Sequence, residues 1–347
     1  MNEPYTGPPG HHTSRPGRGP GGRPLRTVRT GVGSGPRSPV PWVLGAAVAA
    51  VVILASCLAY SGEQAEPLPL SNTKPVPIPL PWPSRGQAAV EVTGRVHSLS
   101  VYGDQRPVPI ASVTKVMTAL VILREHPLGR NAAGPSIQVD RQAAIESGNR
   151  DESTVPLRAG QSFTERELLE LTLIPSGNNA ARLLARWDAG SEEEFVRKMN
   201  ATAAKLGMKN TTYTGASGYE ATTVSTAADQ LKLARKAMKN PVLREIVATR
   251  RINVPGVEGE IVNGNRLLAM PGVIGLKTGT STPAGGALLW AARPASGDRG
   301  RLILGVVLRQ GDADDTLEEK KEAAFTASRR LIIAAQRYLN LEEEPAS

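Results

Sequence analysis

Nineteen consecutive uncharged residues, Trp42 to Tyr60 (WVLGAAVAAVVILASCLAY), divide this chain of 347 residues into parts that must fold in different surroundings. A run of that length is close to the ~20 residues that cross a hydrocarbon core as a helix. Arg15, Arg18, Arg23, Arg26, Arg29 and Arg37 precede it, and Glu63 and Glu66 follow. The positive-inside rule therefore puts the N-terminus in the cytoplasm and the bulk of the chain outside. A cleaved signal peptide is the alternative, but the segment in front is long and the apolar run exceeds the usual signal core, which favours a retained span. Leu54-Ala55-Ser56-Cys57 is also similar to a bacterial lipobox. Apolar residues continue past Cys57, so a cysteine buried within the span is the preferred reading, and either outcome tethers the chain to a membrane.

Residues 1–41 are Gly, Pro, Arg and Ser with few apolar side chains; they cannot build a core and are expected to be a disordered cytoplasmic tail. Residues 61–87 form a Pro-rich linker in which Pro67 to Pro83 favours an extended polyproline II spacer. One globular domain over residues 88–341 remains, followed by an acidic tail, 342–347. Glu342, Glu343 and Glu344 argue against a C-terminal membrane contact. The formal net charge is +9, but six arginines against Glu3 place most of it in the tail. The domain itself is mildly basic, without an arginine stripe interleaved with aromatic residues, so nucleic acid is not expected as a partner. Cys57 is the lone cysteine, and only His97 and His126 lie outside the tail. A disulfide, a metal centre and a Ser-His-Asp triad have almost nothing to be built from, and no cofactor is implied.

Within the domain, Ala88–Val92 and Arg95–Tyr102 flank Thr93-Gly94 as a hairpin. Helical spacing of Val116, Ala119, Leu120 and Ile122 predicts a helix from Ser112 to about Glu125. Capping boxes at Thr164–Glu167 and Ser191–Glu194 open further helices, Gly207 stops the second, and Ser225 starts another that ends near Pro241. Ala287–Ala292 and Leu302–Leu308 read as buried strands, and Thr316–Leu339 as a long amphipathic helix. The predicted class is α+β: an antiparallel sheet built from both ends of the domain with a mainly helical subdomain between them.

Ser112-Val113-Thr114-Lys115 puts a hydroxyl and an ammonium three residues apart, a spacing that stacks both on one helix face. Lysine acts as a base only when neutral, which requires burial and a nearby cation. Ser71-Asn72-Thr73-Lys74 has the same spacing, but Pro75 prevents the helix that would align it. Ser176-Gly177-Asn178 follows an apolar helix and Pro175 and leads into another helix. Its duplicate, Ser147-Gly148-Asn149, lies in the polar stretch Glu146–Glu152 and is set aside. Lys277-Thr278-Gly279-Thr280 ends the apolar run Val273–Leu276, as a strand lining a cleft does. Gly279 permits close approach of a substrate backbone, and Lys277 with the threonine hydroxyls suits a carboxylate.

In this order and spacing the three elements resemble the signature of the penicillin-binding protein and serine β-lactamase superfamily. The segments Ile110–Leu120, Ser176–Ala181, Leu206–Thr211 and Asn265–Leu268 resemble its D-alanyl-D-alanine carboxypeptidase branch. The resemblance implies a β-lactamase/transpeptidase-like fold with its catalytic cleft between the sheet and the helical subdomain, acting on peptidoglycan stem peptides and taking β-lactams as covalent inhibitors. It implies Ser112 as nucleophile, Lys115 as base, and Ser176 and Asn178 as proton relay and substrate-amide contacts. Lys277, Thr278, Gly279 and Thr280 would bind substrate, and the N–H groups of Ser112 and Thr280 would form an oxyanion hole. Arg309, at the end of a predicted strand, is a further candidate for the carboxylate. Where the branch often carries a histidine or aromatic residue after the third motif's glycine, this chain has Thr280, then Ser281-Thr282. A D,D-endopeptidase and a β-lactamase are the rival enzymes on this fold. No E-x-x-x-N pattern between Ser176 and Lys277 supplies the deacylating glutamate of a class A β-lactamase. A β-lactam sensor would need a cytoplasmic effector, which the tail does not provide.

Overall fold

The computed structural model describes residues 79–95, 98–294 and 301–343. The tail, the span at 42–60, most of the linker and the duplicate motif at Ser71 lie outside them. Among the described residues no helix is long and apolar enough to cross a membrane.

Five strands make one antiparallel sheet: β1 (Gln87–Val92), β2 (Ser100–Tyr102), β3 (Val273–Ser281), β4 (Gly285–Ala292) and β5 (Ile303–Gln310), in the order β2-β1-β5-β4-β3. β1 pairs with β5 from Gln87↔Leu308 to Val92↔Ile303, so opposite ends of the domain share a ladder, as expected. Every residue of β4 is buried. A strand covered on both faces reads as a continuous apolar run rather than an alternating one. The helices are α1 (Lys115–Glu125), α2 (Arg141–Glu146), α3 (Glu165–Leu173), α4 (Asn178–Ala189), α5 (Glu192–Lys205), α6 (Ala227–Ala237), α7 (Pro241–Ala248) and α8 (Leu317–Glu343). On one face, Val90, Leu288 and Trp290 pack with Phe325 and Leu331 of α8. On the other, Ala89, Leu289 and Val306 join a core that runs through Ile122, Leu169 and Leu184 of the helical subdomain.

The caps fall where the side chains predict. Thr164 accepts from the Glu167 N–H while the Glu167 carboxylate accepts from the Thr164 N–H at 2.7 Å, and Ser191 accepts from Glu194. Outside the site, local side-chain contacts refine several boundaries of the sequence reading. The second hairpin strand starts at Ser100 rather than Arg95, because the Ser98 hydroxyl takes both backbone groups of Val92 that would have continued the ladder. Val224–Ser225 pairs with Val108–Pro109 as a short strand, so α6 begins at Ala227 with Thr226 as its cap. Pro241 opens α7 behind the Asn240 cap, since the first helical turn needs no N–H from its first residue.

Glu165, in the first turn of α3, is fully buried at 0% exposure, and neither carboxylate oxygen has a hydrogen-bond partner. Burial pushes its pKa up to about 7 from 4.5. Between those values the folded chain holds a proton that the unfolded chain has released, so stability falls as pH rises through that window. Glu165→Gln is expected to leave the melting temperature nearly unchanged at pH 4 and to raise it at pH 8. The gain at pH 8 is on the order of 1–2 kcal/mol, read by thermal unfolding at both pH values.

Candidate active site

Ser112 stands on a 3₁₀ turn, Ala111–Thr114, and α1 starts only at Lys115. The expected α-helix from Ser112 is thus replaced at its first turn by a tighter one. In a 3₁₀ turn side chains at i and i+3 eclipse, and Lys115 Nζ lies 2.8 Å from Ser112 Oγ. Ala111, Val113 and Thr114 are buried, whereas Ser112 faces a cleft of about 640 Å³. The turn is entered through Ala111 at φ 45°. Gly218 makes room for this: a Cβ there would stand 2.0 Å from the Ala111 carbonyl oxygen. At Gly279 a Cβ would come within 2.9 Å of Ile110 O and 3.1 Å of Ser112 N. Only glycine lets β3 lie this close to the serine turn.

Lys115 is fully buried. Its Nζ also contacts Asn178 Oδ1 at 2.5 Å and the Ser217 carbonyl oxygen at 2.8 Å. Burial, and then the charges of Lys277 and Arg182, hold its pKa well below the ordinary lysine value, with Glu152 and Glu220 opposing. A neutral amine has two N–H groups and one lone pair. Asn178 Oδ1 and Ser217 O are acceptors only, so they take the two N–H groups and leave the lone pair facing the Ser112 hydroxyl.

Asn178 is therefore in direct contact with Lys115. Ser176, at φ 70° in the turn between α3 and α4, is not: its hydroxyl makes no hydrogen bond among the described residues. The turn is held by Gly177 N–H to Leu171 O and Asn178 N–H to Ser153 O, at 2.9 and 2.8 Å. The duplicate Ser147 has a structural post, its oxygen accepting from Leu157 N–H and Asn179 Nδ2 at 3.0 and 2.9 Å.

On β3, Lys277 is 2% exposed, and burial lowers its pKa to about 7. Its Nζ donates to the Thr278 carbonyl at 3.1 Å. Thr280, Ser281, Thr282 and Pro283 line the cleft opposite Glu152, Asn178 and Tyr219. Among the described residues, four non-glycine residues have positive φ: Ala111, Ser176, Leu276 and Arg309. Three of them lie in or immediately before the three motifs, so backbone strain collects at the site. The fourth, Arg309, is exposed and does not line this cleft; it borders the neighbouring groove with Arg85, Thr282 and Pro283.

Several contributors escaped the sequence reading. Glu152 ends the polar stretch that holds the duplicate Ser147-Gly148-Asn149. It accepts from Arg182 at 3.0 and 2.8 Å, from Asn149 at 2.9 Å, and from Asn178 Nδ2 in a short contact. Burial works to raise its pKa, but the Arg182 and Asn178 hydrogen bonds and the Arg182 charge bring it below the ordinary value. Arg182 follows Asn178 by four residues on α4, a spacing that could have revealed it, and lies 5.8 Å from the centre of the Tyr219 ring. Ser217 contributes a backbone carbonyl, for which no side-chain signal exists.

Among proteins of known function, a Mycobacterium tuberculosis D-alanyl-D-alanine carboxypeptidase is 38% identical over 205 residues, 57% of this chain and 66% of that one. A Bacillus subtilis D-alanyl-D-alanine carboxypeptidase is 34% identical over 174 residues, covering 49% of this chain and 44% of the relative. Each of these two alignments thus covers less than two thirds of the relative. The crystal structure of a Streptomyces DD-transpeptidase superposes with a TM-score of 0.60 at 25% identity, covering 71% of this chain and 96% of that one. The family model described as D-alanyl-D-alanine carboxypeptidase matches residues 91–310, which hold Ser112, Lys115, Asn178 and Lys277. More than half of the chain is spanned by that match, and the chain belongs to the D-alanyl-D-alanine carboxypeptidase family.

Proposed function

We propose that this protein is a serine-type D-alanyl-D-alanine carboxypeptidase that removes the terminal D-alanine of peptidoglycan stem peptides through an acyl-enzyme on Ser112. The observation that carries the reading is the buried Lys115 amine, with acceptors on two sides and the Ser112 hydroxyl on the third. Ser112 Oγ attacks the carbonyl carbon between the two D-alanines as its proton passes to Lys115. Backbone N–H groups of Ser112 and Thr280 receive the oxyanion, a contribution of about 3–4 kcal/mol per donor where one has been measured. The C–N bond then breaks as the proton moves to the leaving amine, with Ser176, two residues before Asn178 in the same motif, as the relay. Water hydrolyses the remaining ester. Lys277, Thr278 and Thr280 hold the terminal carboxylate, with Gly279 admitting the substrate backbone. A β-lactam enters the same path and stays on Ser112.

The span at Trp42–Tyr60 and the linker at 61–87 support a single-pass anchor, with the peptidase domain over 88–341 on the extracytoplasmic side. The test is mass spectrometry of the full-length protein after incubation with penicillin, together with D-alanine release from a stem-peptide mimic. The expected adduct has the mass of the intact drug and maps to the peptide containing Ser112. No adduct, or one on another residue, would overturn the assignment.

A further inference from the structure

Asn178 does its work at Lys115 only in one of two nearly isosteric orientations. Turned over, its Nδ2 would face the amine and compete with Ser112 for the lone pair. We propose that Glu152 is a positioning residue for the proton transfer: by accepting from Asn178 Nδ2 it holds Oδ1 toward Lys115 and so aims the lone pair at Ser112. The inference rests on the acyl-enzyme reading above.

The geometry excludes the obvious alternative, in which Glu152 activates water. Its side chain is 3% exposed. Oε1 accepts from Arg182 and Asn149, and Oε2 from Arg182 and Asn178. Two donors per oxygen fill the acceptor sites of a carboxylate. An ionised carboxylate with no proton to donate can receive only the N–H side of the Asn178 amide, and this selects the orientation. Arg182 fixes the carboxylate in turn through a bidentate pair, the geometry in which guanidinium best holds such a group.

Lys115 is faced by Lys277 from β3, Arg182 from α4, Glu220 from the segment after Ser217, and Glu152 itself. The Glu152 charge favours the protonated amine. Glu152→Gln therefore removes a charge and also frees the Asn178 amide to turn, because a glutamine amide both donates and accepts.

The experiment follows penicillin acylation of the full-length protein against pH, with melting temperature measured alongside, for the wild type, Glu152→Gln and Glu152→Asp. In Glu152→Gln the plateau rate is expected to fall roughly ten- to hundredfold, the scale set by misplacing a reacting group, and the acid limb to move to lower pH. Glu152→Asp keeps the charge on a shorter stem, so it should keep the acid limb in place and still lose rate. Wild-type rate and acid limb in Glu152→Gln would overturn the inference. So would a rate loss with an unmoved acid limb that merely follows a lower melting temperature. Should Glu152→Gln fail to fold, a folded Glu152→Asp with wild-type acylation overturns it equally. Absence of acylation in the wild type sinks the acyl-enzyme reading instead, so the two failures are distinct.

Discussion

Ser112→Ala is expected to eliminate the penicillin adduct and to lower D-alanine release by about 10⁴-fold or more, the scale seen when the nucleophile of an acyl-transfer site is removed. The fold should survive the change. Ser112 is half-buried in a turn whose other residues are buried, and alanine preserves the packing of that turn. Lys115 loses one hydrogen-bond partner but keeps Asn178 and Ser217. The stability cost is therefore about 1 kcal/mol, a melting shift of a few degrees. Paired measurements of release and of thermal unfolding on the full-length protein separate chemistry from folding. Undiminished release by a folded Ser112→Ala protein would remove the nucleophile from the mechanism.

Lys277→Met is expected to move function and stability in opposite directions. In the proposed function Lys277 holds the substrate carboxylate through a charge-assisted contact, and its loss should lower kcat/KM by roughly ten- to hundredfold. The Lys277 charge also helps to depress the Lys115 pKa, so without it the acid limb of acylation should move to higher pH. For stability, the folded pKa of Lys277 is about 7 against 10.5 for a free lysine. Between those values the unfolded chain binds the proton and the folded chain does not, so stability rises with pH across that window. At pH 7 and below, the folded protein carries the cost of an enclosed ammonium. Methionine preserves the volume without the charge. The variant should melt higher at pH 6, by on the order of a few kcal/mol, with the advantage shrinking toward pH 10. An unchanged acid limb and melting temperature would contradict the role assigned to the Lys277 charge.

The helix caps show how far local chemistry carries. Thr164, Ser191 and Thr316 mark their helices because a cap is a contact between residues three apart. Around Pro241 the helix from Ala227 ends at Ala237 as expected, but a new one opens at once: proline suits a helix start as well as a stop, and the Asn240 side chain, with Oδ1 accepting from Val242 and Leu243, makes this one a start. At the site, Ser112 and Lys115 are close in sequence and could be paired from it. Their partners at Asn178, Ser217 and Lys277 come from three other elements, and of these only the two with motif side chains could be named in advance.

The residue types and spacing of the three motifs, the apolar strands at both ends of the domain and the scarcity of histidine thus pointed from the sequence to a lysine-activated serine. What only the tertiary structure decided was which groups surround the Lys115 amine. A 3₁₀ turn rather than an α-helix brings Ser112 against Lys115, and Gly218 and Gly279 allow that turn its strained entry and its close approach to β3. Asn178 Oδ1 and the Ser217 carbonyl occupy the other two directions around the amine, and Glu152, itself paired with Arg182, accepts from the far side of the Asn178 amide. Such orientation arises when acceptors distant in the chain converge on one nitrogen in a buried space, and spacing along the sequence does not encode where those atoms meet.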